Sequence, residues 1–270
     1  MQKDFDMNSL LDFTAKVVFV AGGSSGINLG IAEAFAARGA AVAIASRSQE
    51  RVDLAVARLK THGGEVEGYA ADVRNAASIE SALQRCHERF GDIDVLISGA
   101  AGNFVAPALG MSANGFRTVV DIDLNGTFNV LRSAHAFLRK PGASIVNISA
   151  PQSFNPTKFQ AHVCAAKAGV DMLTRVLAME WGGDGIRVNA LVPGPIKDTE
   201  GVERLAPNPE AMAAMVAKVP LGRFGSKQDI ANMAMVLSSP LGDYVSGAVI
   251  PVDGGGSLSG GRDLTGALAR

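Results

Sequence analysis

Short runs of β-branched and small apolar residues alternate with longer amphipathic segments along almost the whole chain. Repeated strand–helix units of this kind predict a doubly wound parallel sheet with helices on both faces, because a crossover between parallel strands is right-handed and needs room. No composition break divides the chain, so we expect one α/β domain over residues 1–270. The predicted strands are 16–21, 41–46, 65–70, 94–98, 144–149, 187–192 and 248–252. The predicted helices are 26–38, 49–61, 76–90, a stretch ending near 138, 159–181 and 227–238.

Composition and charge fit this layered fold and exclude several classes of partner. Apolar residues make up 47% of the chain and aromatics only 6%, so small aliphatic side chains fill the core, as in buried parallel strands. The formal net charge of −1 favours neither nucleic acid nor an anionic membrane, and no apolar run is long enough to span a bilayer. Cys86 and Cys164 are too few and too isolated for a disulfide framework or a metal site.

The two ends of the chain bear on where the protein resides. Acidic residues interrupt the N-terminal segment, unlike a secretory signal, and the closing Ala-Leu-Ala-Arg differs from the peroxisomal tripeptide signal. Together with the two isolated cysteines, these features predict a cytoplasmic protein.

The first predicted strand runs directly into Gly22-Gly23-Ser24-Ser25-Gly26-Ile27, after which a helix begins. Gly22 permits a tight turn, and Gly26 lets the backbone approach a pyrophosphate at the helix N-terminus, where unpaired N–H groups favour an anion. A glycine cluster alone is also typical of a simple strand–helix connection. Its position after the first strand of a βαβ unit favours a Rossmann-type sheet that binds a dinucleotide beyond the carboxyl ends of its strands.

The end of the second strand, Ala45-Ser46-Arg47-Ser48, bears on which dinucleotide is bound. An acidic residue there would accept a hydrogen bond from the 2′-hydroxyl of NAD, whereas Arg47 can pair with a 2′-phosphate in a forked geometry. A solvent-facing arginine at the start of a helix is the other interpretation of Arg47. We favour NADP(H) as the cofactor.

The glycine-rich segment resembles the TGxxxGIG motif of the short-chain dehydrogenase/reductase family. Ala21 stands where threonine is usual, and Asn28 replaces the third glycine. Asparagine tolerates unusual dihedral angles well, so we expect the loop to survive this replacement.

The resemblance covers about residues 14–256 and implies further cofactor contacts. These are Asp72 and Val73 at the adenine, Ala100, Ala101 and Gly102 in the place of the family's NNAG segment, and Pro193, Gly194 and Ile196 beside the nicotinamide. It also implies a homotetramer, with the 159–181 helix in an interface.

The family's usual catalytic signature, Tyr-x-x-x-Lys on a long helix with a preceding serine, is incomplete here. Lys167 is present, but Val163 stands four residues earlier, and Ala150 falls at the serine position, one step from Ser149. Positions four apart share a helix face, so the donor that would protonate an alkoxide is missing. An ordinary ketone reductase is therefore disfavoured unless His162 or Ser149 supplies the proton, and packing is the other interpretation of His162.

One branch of the family lacks this tyrosine, and the chain resembles it: the peroxisomal-type 2,4-dienoyl-CoA reductases. The segments that carry the resemblance are Ala100-Ala101-Gly102-Asn103-Phe104, Asp121-Ile122-Asp123, Gly126-Thr127-Phe128-Asn129, Ala178-Met179-Glu180-Trp181-Gly182 and Gly194-Pro195-Ile196, with His162 five residues before the lysine. In that branch an aspartate and the lysine form the catalytic pair, which implies Asp123 and Lys167 here. Lys167 would also hold the nicotinamide ribose.

Reduction of a conjugated dienoyl thioester fits such a pair chemically. Addition of a hydride to the far end of the diene spreads negative charge onto the thioester oxygen. Hydrogen bonds must stabilise this oxygen, while the proton goes to a carbon atom. A water held between Asp123 and Lys167 could deliver that proton, and Asn125 could bind the thioester oxygen. A carboxylate paired with lysine purely for structure is the other interpretation of Asp123.

Two other functions are compatible with the same differences from the family's motifs. Asn28, Ala150 and Val163 together also fit a decayed enzyme that binds NADP(H) as a sensor or scaffold, although Asp123 and Lys167 are retained. An enzyme acting on another activated alkene or on a carbonyl compound is the second rival.

Residues 197–225, a loose region rich in proline and glycine, are expected to form the substrate lid. Arg204, Lys218 and Arg223 within it could meet the phosphates of coenzyme A. Isolated surface cations that serve only solubility are the other interpretation.

Overall fold

The computed structural model describes residues 10–258, which form a seven-stranded sheet in which all strands are parallel. The strands are β1 (Val17–Ala21), β2 (Ala41–Ser46), β3 (Val66–Ala70), β4 (Val95–Ser98), β5 (Ser144–Ile148), β6 (Arg187–Pro193) and β7 (Val249–Val252). Their order across the sheet is β3-β2-β1-β4-β5-β6-β7. The predicted doubly wound parallel sheet is confirmed.

Helices cover both faces of the sheet, because each face of the parallel strands is apolar. The helices are α1 (Gly26–Ala36), α2 (Gln49–Lys60), α3 (Ala76–Phe90), α4 (Ala113–Val120), α5 (Gly126–Ala134), α6 (Ala161–Trp181), α7 (Glu200–Leu205), α8 (Pro209–Val216) and α9 (Lys227–Ser238). One core lies under α1, α2 and α9, and the other under α3, α5 and α6. Along β1, Val18 and Val20 enter the first core while Phe19 enters the second, as the two-residue period of a strand requires.

The predicted ends of most elements agree with the structure to within one or two residues, and the main difference lies in 197–225. This region was expected to be loose, but it contains α7 and α8. Both helices begin at capping residues: Thr199 Oγ1 accepts from the backbone nitrogen of Val202 at 3.4 Å, and Asn208 Oδ1 from that of Ala211 at 2.8 Å. Residues 197–225, the expected lid, therefore contain a pair of short capped helices.

The strand order reverses between β1 and β4. From β1 the chain winds outward to β3, and β4 then returns to the other side of β1. Ligands of such sheets bind in the crevice that opens beyond the carboxyl ends of the strands at this reversal. The loops that follow β1, β4, β5 and β6 meet there.

The helices and the metal-ligating side chains of residues 10–258 bear on membranes and metals. No helix there is both long and apolar enough to cross a membrane, and no three metal-ligating side chains form a group. Burial raises the pKa of the Cys86 thiol to about 12, so this cysteine stays protonated inside the core.

Candidate active site

A cavity of about 1060 Å³ opens at the carboxyl ends of the strands. Its size suits a large ligand such as a dinucleotide, since most ligand sites measure about 300–1,000 Å³. Every residue that the sequence predicted as a cofactor contact lines this cavity. They are Gly22, Ser24, Ser25, Gly26, Ile27, Arg47, Asp72, Val73, Ala100, Ala101, Gly102, Lys167, Pro193, Gly194 and Ile196.

The loop between β1 and α1 presents open backbone at a helix N-terminus. Gly22 has φ +79° and Gly26 has φ +60°, a region that residues with side chains rarely adopt. A Cβ on Gly22 would lie 2.8 Å from the backbone nitrogen of Ala100, so glycine is needed for this close approach. A Cβ on Gly26 would meet no atom within 4 Å, which leaves room for a phosphate against the first amides of α1.

Asn28 has a role that differs from our expectation. It lies inside α1 and does not have a positive φ, so tolerance of unusual dihedral angles is not what the position requires. Its Nδ2 donates to the carbonyl oxygens of Gly22 at 3.3 Å and Gly99 at 2.8 Å. The asparagine thereby ties the loop after β1 to the loop after β4 across the strand reversal.

Two arginines lie at the end of the cavity nearest β2. Arg47 directly follows the strand, and Arg51 lies in the first turn of α2, with its guanidinium 3.5 Å from Glu200 Oε1. Both line the cavity, and a guanidinium can pair with a phosphate in a forked geometry. Our sequence reasoning missed Arg51, although its place in the first turn of the helix after Arg47 was a usable signal.

The loop after β3 is held by side-chain hydrogen bonds at two points. Arg74 donates to Asp72, with Nη2 2.6 Å from Oδ2, and this hydrogen bonding holds the pKa of Asp72 below its usual value. Asn129 Nδ2 donates to the carbonyl oxygen of Val73 at 2.9 Å. The two predicted adenine contacts therefore belong to a well-supported wall of the cavity.

Asp123 and Lys167 form a buried ion pair on the cavity wall. Lys167 Nζ lies 3.3 Å from Asp123 Oδ2, and the two side chains are 6% and 1% exposed, respectively. Lys167 Nζ also donates to the carbonyl oxygen of Ile148 at 3.0 Å, and the backbone nitrogen of Gly102 donates to Asp123 Oδ1 at 2.6 Å. A buried ion pair is weak evidence for stability, because desolvation offsets its attraction. Its position in a cleft therefore favours a functional role.

A π-helical turn over Asp121–Asn125 joins α4 to α5 and carries Asp123. Such turns are rare, and they occur frequently at functional sites. Thr127 Oγ1 donates to the carbonyl oxygen of Asp123 at 2.7 Å and supports the turn from within. The irregular turn therefore carries Asp123, the aspartate of the ion pair.

The positions where the family carries tyrosine and serine offer no phenol. Val163 and Ala150 line the cavity together with Lys167. Ser149 also lines it, and its buried Oγ has no hydrogen-bond partner among the residues that the structure describes. Ser149 therefore brings an unpartnered hydroxyl to the cavity that Asp123 and Lys167 line.

His162 is fully buried next to this wall. Its ring packs edge-on against Phe104, with 4.2 Å between the ring centroids. Neither ring nitrogen has a hydrogen-bond partner within residues 10–258, and burial lowers the pKa of His162. A buried neutral ring of this kind favours the packing interpretation over proton donation.

Asn125 lies away from the cavity, which disagrees with our expectation that it binds a substrate oxygen. The residue is exposed, and its Nδ2 donates to Asp121 Oδ1 at 2.8 Å. Residues two apart on a helix do not face the same side, so Asn125 cannot share a ligand with Asp123.

A chain of three amides was not foreseen from the sequence. Gln152 Nε2 donates to Gln160 Oε1 at 2.8 Å, and Gln160 Nε2 donates to Asn103 Oδ1 at 2.9 Å. Gln152 and Asn103 line the cavity, whereas Gln160 is only 2% exposed. With its oxygen engaged, Asn103 has its Nδ2 available as a hydrogen-bond donor. Neither glutamine belongs to a motif, so no sequence signal singled them out.

The 197–225 segment, the expected lid, reaches the cavity through Arg204 on α7. Arg204 Nη1 donates to the carbonyl oxygen of Asn103 at 3.2 Å, and both Arg204 and Lys218 line the cavity. Arg223 is placed differently from our expectation. It donates to Asp229 at 3.0 and 3.2 Å and lines a second cavity of about 590 Å³. Of the three cations that the sequence predicted to meet coenzyme A, Arg204 and Lys218 are therefore the ones that line the main cavity.

Known proteins similar in sequence cover most of the chain. A family described as enoyl-(acyl carrier protein) reductase matches residues 21–257. The peroxisomal 2,4-dienoyl-CoA reductase of Pongo abelii, named as (3E)-enoyl-CoA-producing, is 45% identical over 253 residues, covering 93% of this chain and 87% of its own. A probable 2,4-dienoyl-CoA reductase of Bacillus subtilis (strain 168), named as (2E)-enoyl-CoA-producing, is 39% identical over 243 residues, covering 89% and 96%.

Solved structures show the same relationship. A short chain dehydrogenase from Bacillus anthracis has a TM-score of 0.83 and 37% identity, covering 91% of this chain and 97% of its own. Levodione reductase has a TM-score of 0.87 and 32% identity, covering 92% and 99%. The resemblance seen in the sequence is thus confirmed along nearly the full length. The chain belongs to the short-chain dehydrogenase/reductase family of nicotinamide-dependent oxidoreductases and is similar to its 2,4-dienoyl-CoA reductases.

Proposed function

We propose that the protein reduces the conjugated diene of a 2,4-dienoyl-CoA thioester with NADPH. The observation that carries this proposal is the buried pair of Asp123 and Lys167, with 3.3 Å between Oδ2 and Nζ, on a wall where Val163 replaces the expected tyrosine. Such a wall can hold a water and protonate carbon, but it has no phenol to protonate an alkoxide. Relatives named as 2,4-dienoyl-CoA reductases support the same assignment.

NADPH held by the cavity would supply a hydride, and C5, the far end of the diene, would accept it. Asn103 Nδ2 is the donor that we assign to the thioester oxygen, in the place that Asn125 was expected to take. Lys167 stabilises the negative charge that spreads to this oxygen, since a fixed cation in a water-poor site acts strongly on developing charge. Asp123 and Lys167 hold a water that gives its proton to C2, and solvent replaces that proton.

The carbons that receive the hydride and the proton determine the product. Hydride at C5 and a proton at C2 leave the remaining double bond between C3 and C4. The reaction therefore yields a 3-enoyl thioester, as in the name of the Pongo abelii relative, whereas the Bacillus subtilis relative is named for a 2-enoyl product.

Preference for NADP(H) over NAD(H) rests on the end of the cavity nearest β2. The strand ends in Ser46, where an NAD-binding sheet would place an acidic residue, and Arg47 and Arg51 line the wall beyond it. We assign the 2′-phosphate to Arg47, with Arg51 beside it.

The direct test follows NADPH absorbance with a 2,4-dienoyl-CoA and, in parallel, with a simple ketone. We expect rapid NADPH oxidation with the dienoyl-CoA, none with the ketone, and a 3-enoyl-CoA product by nuclear magnetic resonance. Turnover of ketones alone would overturn the mechanism. A 2-enoyl product would show that the proton goes to C4 and not to C2. If NADPH binds and no substrate oxidises it, a role as a nucleotide sensor replaces the proposed enzymatic function.

We also propose a homotetramer with α6 in an interface. Met172, Val176 and Met179 lie three or four residues apart on this helix and are 56%, 40% and 85% exposed. They form an apolar stripe of the kind that marks protein interfaces. Val176→Glu is expected to lower the molar mass measured by light scattering, whereas Leu54→Glu, at an exposed leucine of α2, leaves it unchanged. If Val176→Glu leaves the molar mass unchanged, α6 does not lie in an interface.

A further inference from the structure

We propose that Gln160 is a positioning residue that sets which end of the Asn103 amide faces the substrate. This inference rests on the proposed function, because it concerns the donor assigned to the thioester oxygen. An asparagine amide has an accepting end and a donating end of nearly the same shape. Only the donating end stabilises negative charge on an oxygen, so the orientation of Asn103 decides whether it helps or hinders the reaction.

The amide chain gives Gln160 control of that orientation. Gln160 Nε2 donates to Asn103 Oδ1 at 2.9 Å, and Gln160 Oε1 accepts from Gln152 Nε2 at 2.8 Å. Both ends of the Gln160 amide are thus engaged, and the chain runs in one direction from Gln152 to Asn103. Because Gln160 is only 2% exposed, little water competes for these hydrogen bonds.

The backbone holds Gln160 against the segment that carries Asn103. Gln160 directly precedes α6, and its carbonyl oxygen accepts from the backbone nitrogen of Cys164 at 2.9 Å. The preceding residue, Phe159, has φ +67°, which is unusual for a bulky side chain and typical of positions under functional constraint. The backbone nitrogen of Ala106 donates to the carbonyl oxygen of Phe159 at 3.0 Å. A backbone bond and a side-chain bond therefore join the two segments.

Gln160→Glu tests the proposal at nearly constant side-chain shape. A carboxylate only accepts hydrogen bonds, so Asn103 must turn its Nδ2 toward residue 160 and present Oδ1 to the substrate. We expect kcat with a dienoyl-CoA to fall about 100-fold, as for the loss of one oxyanion donor. The Kd for NADPH, measured by fluorescence, should stay at the wild-type value. Gln160→Met frees Asn103 to turn either way and should cost about 10-fold, as for one lost hydrogen bond.

The same two substitutions in an Asn103→Ala background separate positioning from a structural role. If Gln160 acts through Asn103, neither substitution lowers kcat further once the Asn103 amide is gone. A loss of kcat that persists in that background, or a matching loss of NADPH affinity, would overturn the proposal.

Failure of the proposed function would look different, because wild-type protein itself would not turn over a dienoyl-CoA. Binding of octanoyl-CoA to the protein loaded with NADP⁺ then tests Gln160 by calorimetry, since this saturated thioester offers the same oxygen. We expect weaker binding by the Gln160→Glu protein than by wild type. Equal affinities would rule out a positioning role.

Discussion

Replacing Lys167 with alanine is expected to lower kcat for dienoyl-CoA reduction about a thousandfold, the combined scale of acid–base and electrostatic assistance. Lys167 Nζ lies 3.3 Å from Asp123 Oδ2 and 3.0 Å from the carbonyl oxygen of Ile148. In the proposed mechanism, the substitution removes the cation beside the substrate and one of the two groups that hold the water. It also leaves the buried Asp123 carboxylate without its partner, which costs about 3–5 kcal/mol of folding free energy. A lower melting temperature should therefore accompany the loss of rate.

Asp123→Asn separates the loss of rate from the loss of stability. The amide oxygen can still accept from the backbone nitrogen of Gly102, now 2.6 Å from Asp123 Oδ1, so the fold is expected to persist. Removing the charge should lower kcat about 100-fold, with the affinity for NADPH unchanged. Lys60→Ala, at an exposed lysine on α2, serves as the control and should match wild type in steady-state assays. Wild-type rates in both the Lys167 and Asp123 variants would make the pair purely structural.

Arg47→Ala is expected to raise KM for NADPH about 10- to 100-fold, since a hydrogen bond to a charged group contributes about 1.5–3 kcal/mol. KM for NADH should change little, because NADH lacks the 2′-phosphate. Arg47 is exposed, so the difference between wild type and variant should shrink as ionic strength rises. Adding Arg51→Ala should raise KM for NADPH further.

Arg58→Ala is the matched control for the Arg47 variant. This arginine also lies on the α2 side of the sheet, but its guanidinium contacts Glu33 of α1. Its loss should leave the ratio of the NADPH and NADH KM values unchanged. Equal losses for the two cofactors in the Arg47 variant would show that Arg47 supports the loop and does not read the 2′-phosphate. No change with either cofactor would make it a solvent-facing side chain.

The fold and the cofactor cavity could be predicted from sequence because local physics dictates both. Apolar runs of strand and helix length define the layers. Because the strands are parallel, the loops that follow them meet at the same edge of the sheet. Gly22 and Gly26 could be assigned individually, because their roles are set by the backbone turn that they occupy. Asn28, in the first turn of α1, contributes two hydrogen bonds, and one of them reaches Gly99, far away in sequence.

The details of the substrate side depend on contacts that no local pattern reveals. The amide chain joins Gln160 to Asn103, which lies 57 residues earlier in the sequence. The π turn that carries Asp123 leaves no mark in the sequence either, since its residues are also compatible with an ordinary helix. Asn125 is a different case. Helical geometry alone indicates that residues two apart face different directions, which already argued against Asn125 and Asp123 sharing a ligand.

The amide chain also bears on how the protein responds to pH. Gln152, Gln160 and Asn103 have no proton to gain or lose near neutrality. The neighbouring ring of His162 has its pKa lowered by burial, so it too is neutral at and above neutral pH. The amide that we propose as the donor to the thioester oxygen therefore keeps its orientation from neutral to alkaline solution. A change of kcat with pH over that range would therefore arise outside the amide chain and the His162 ring.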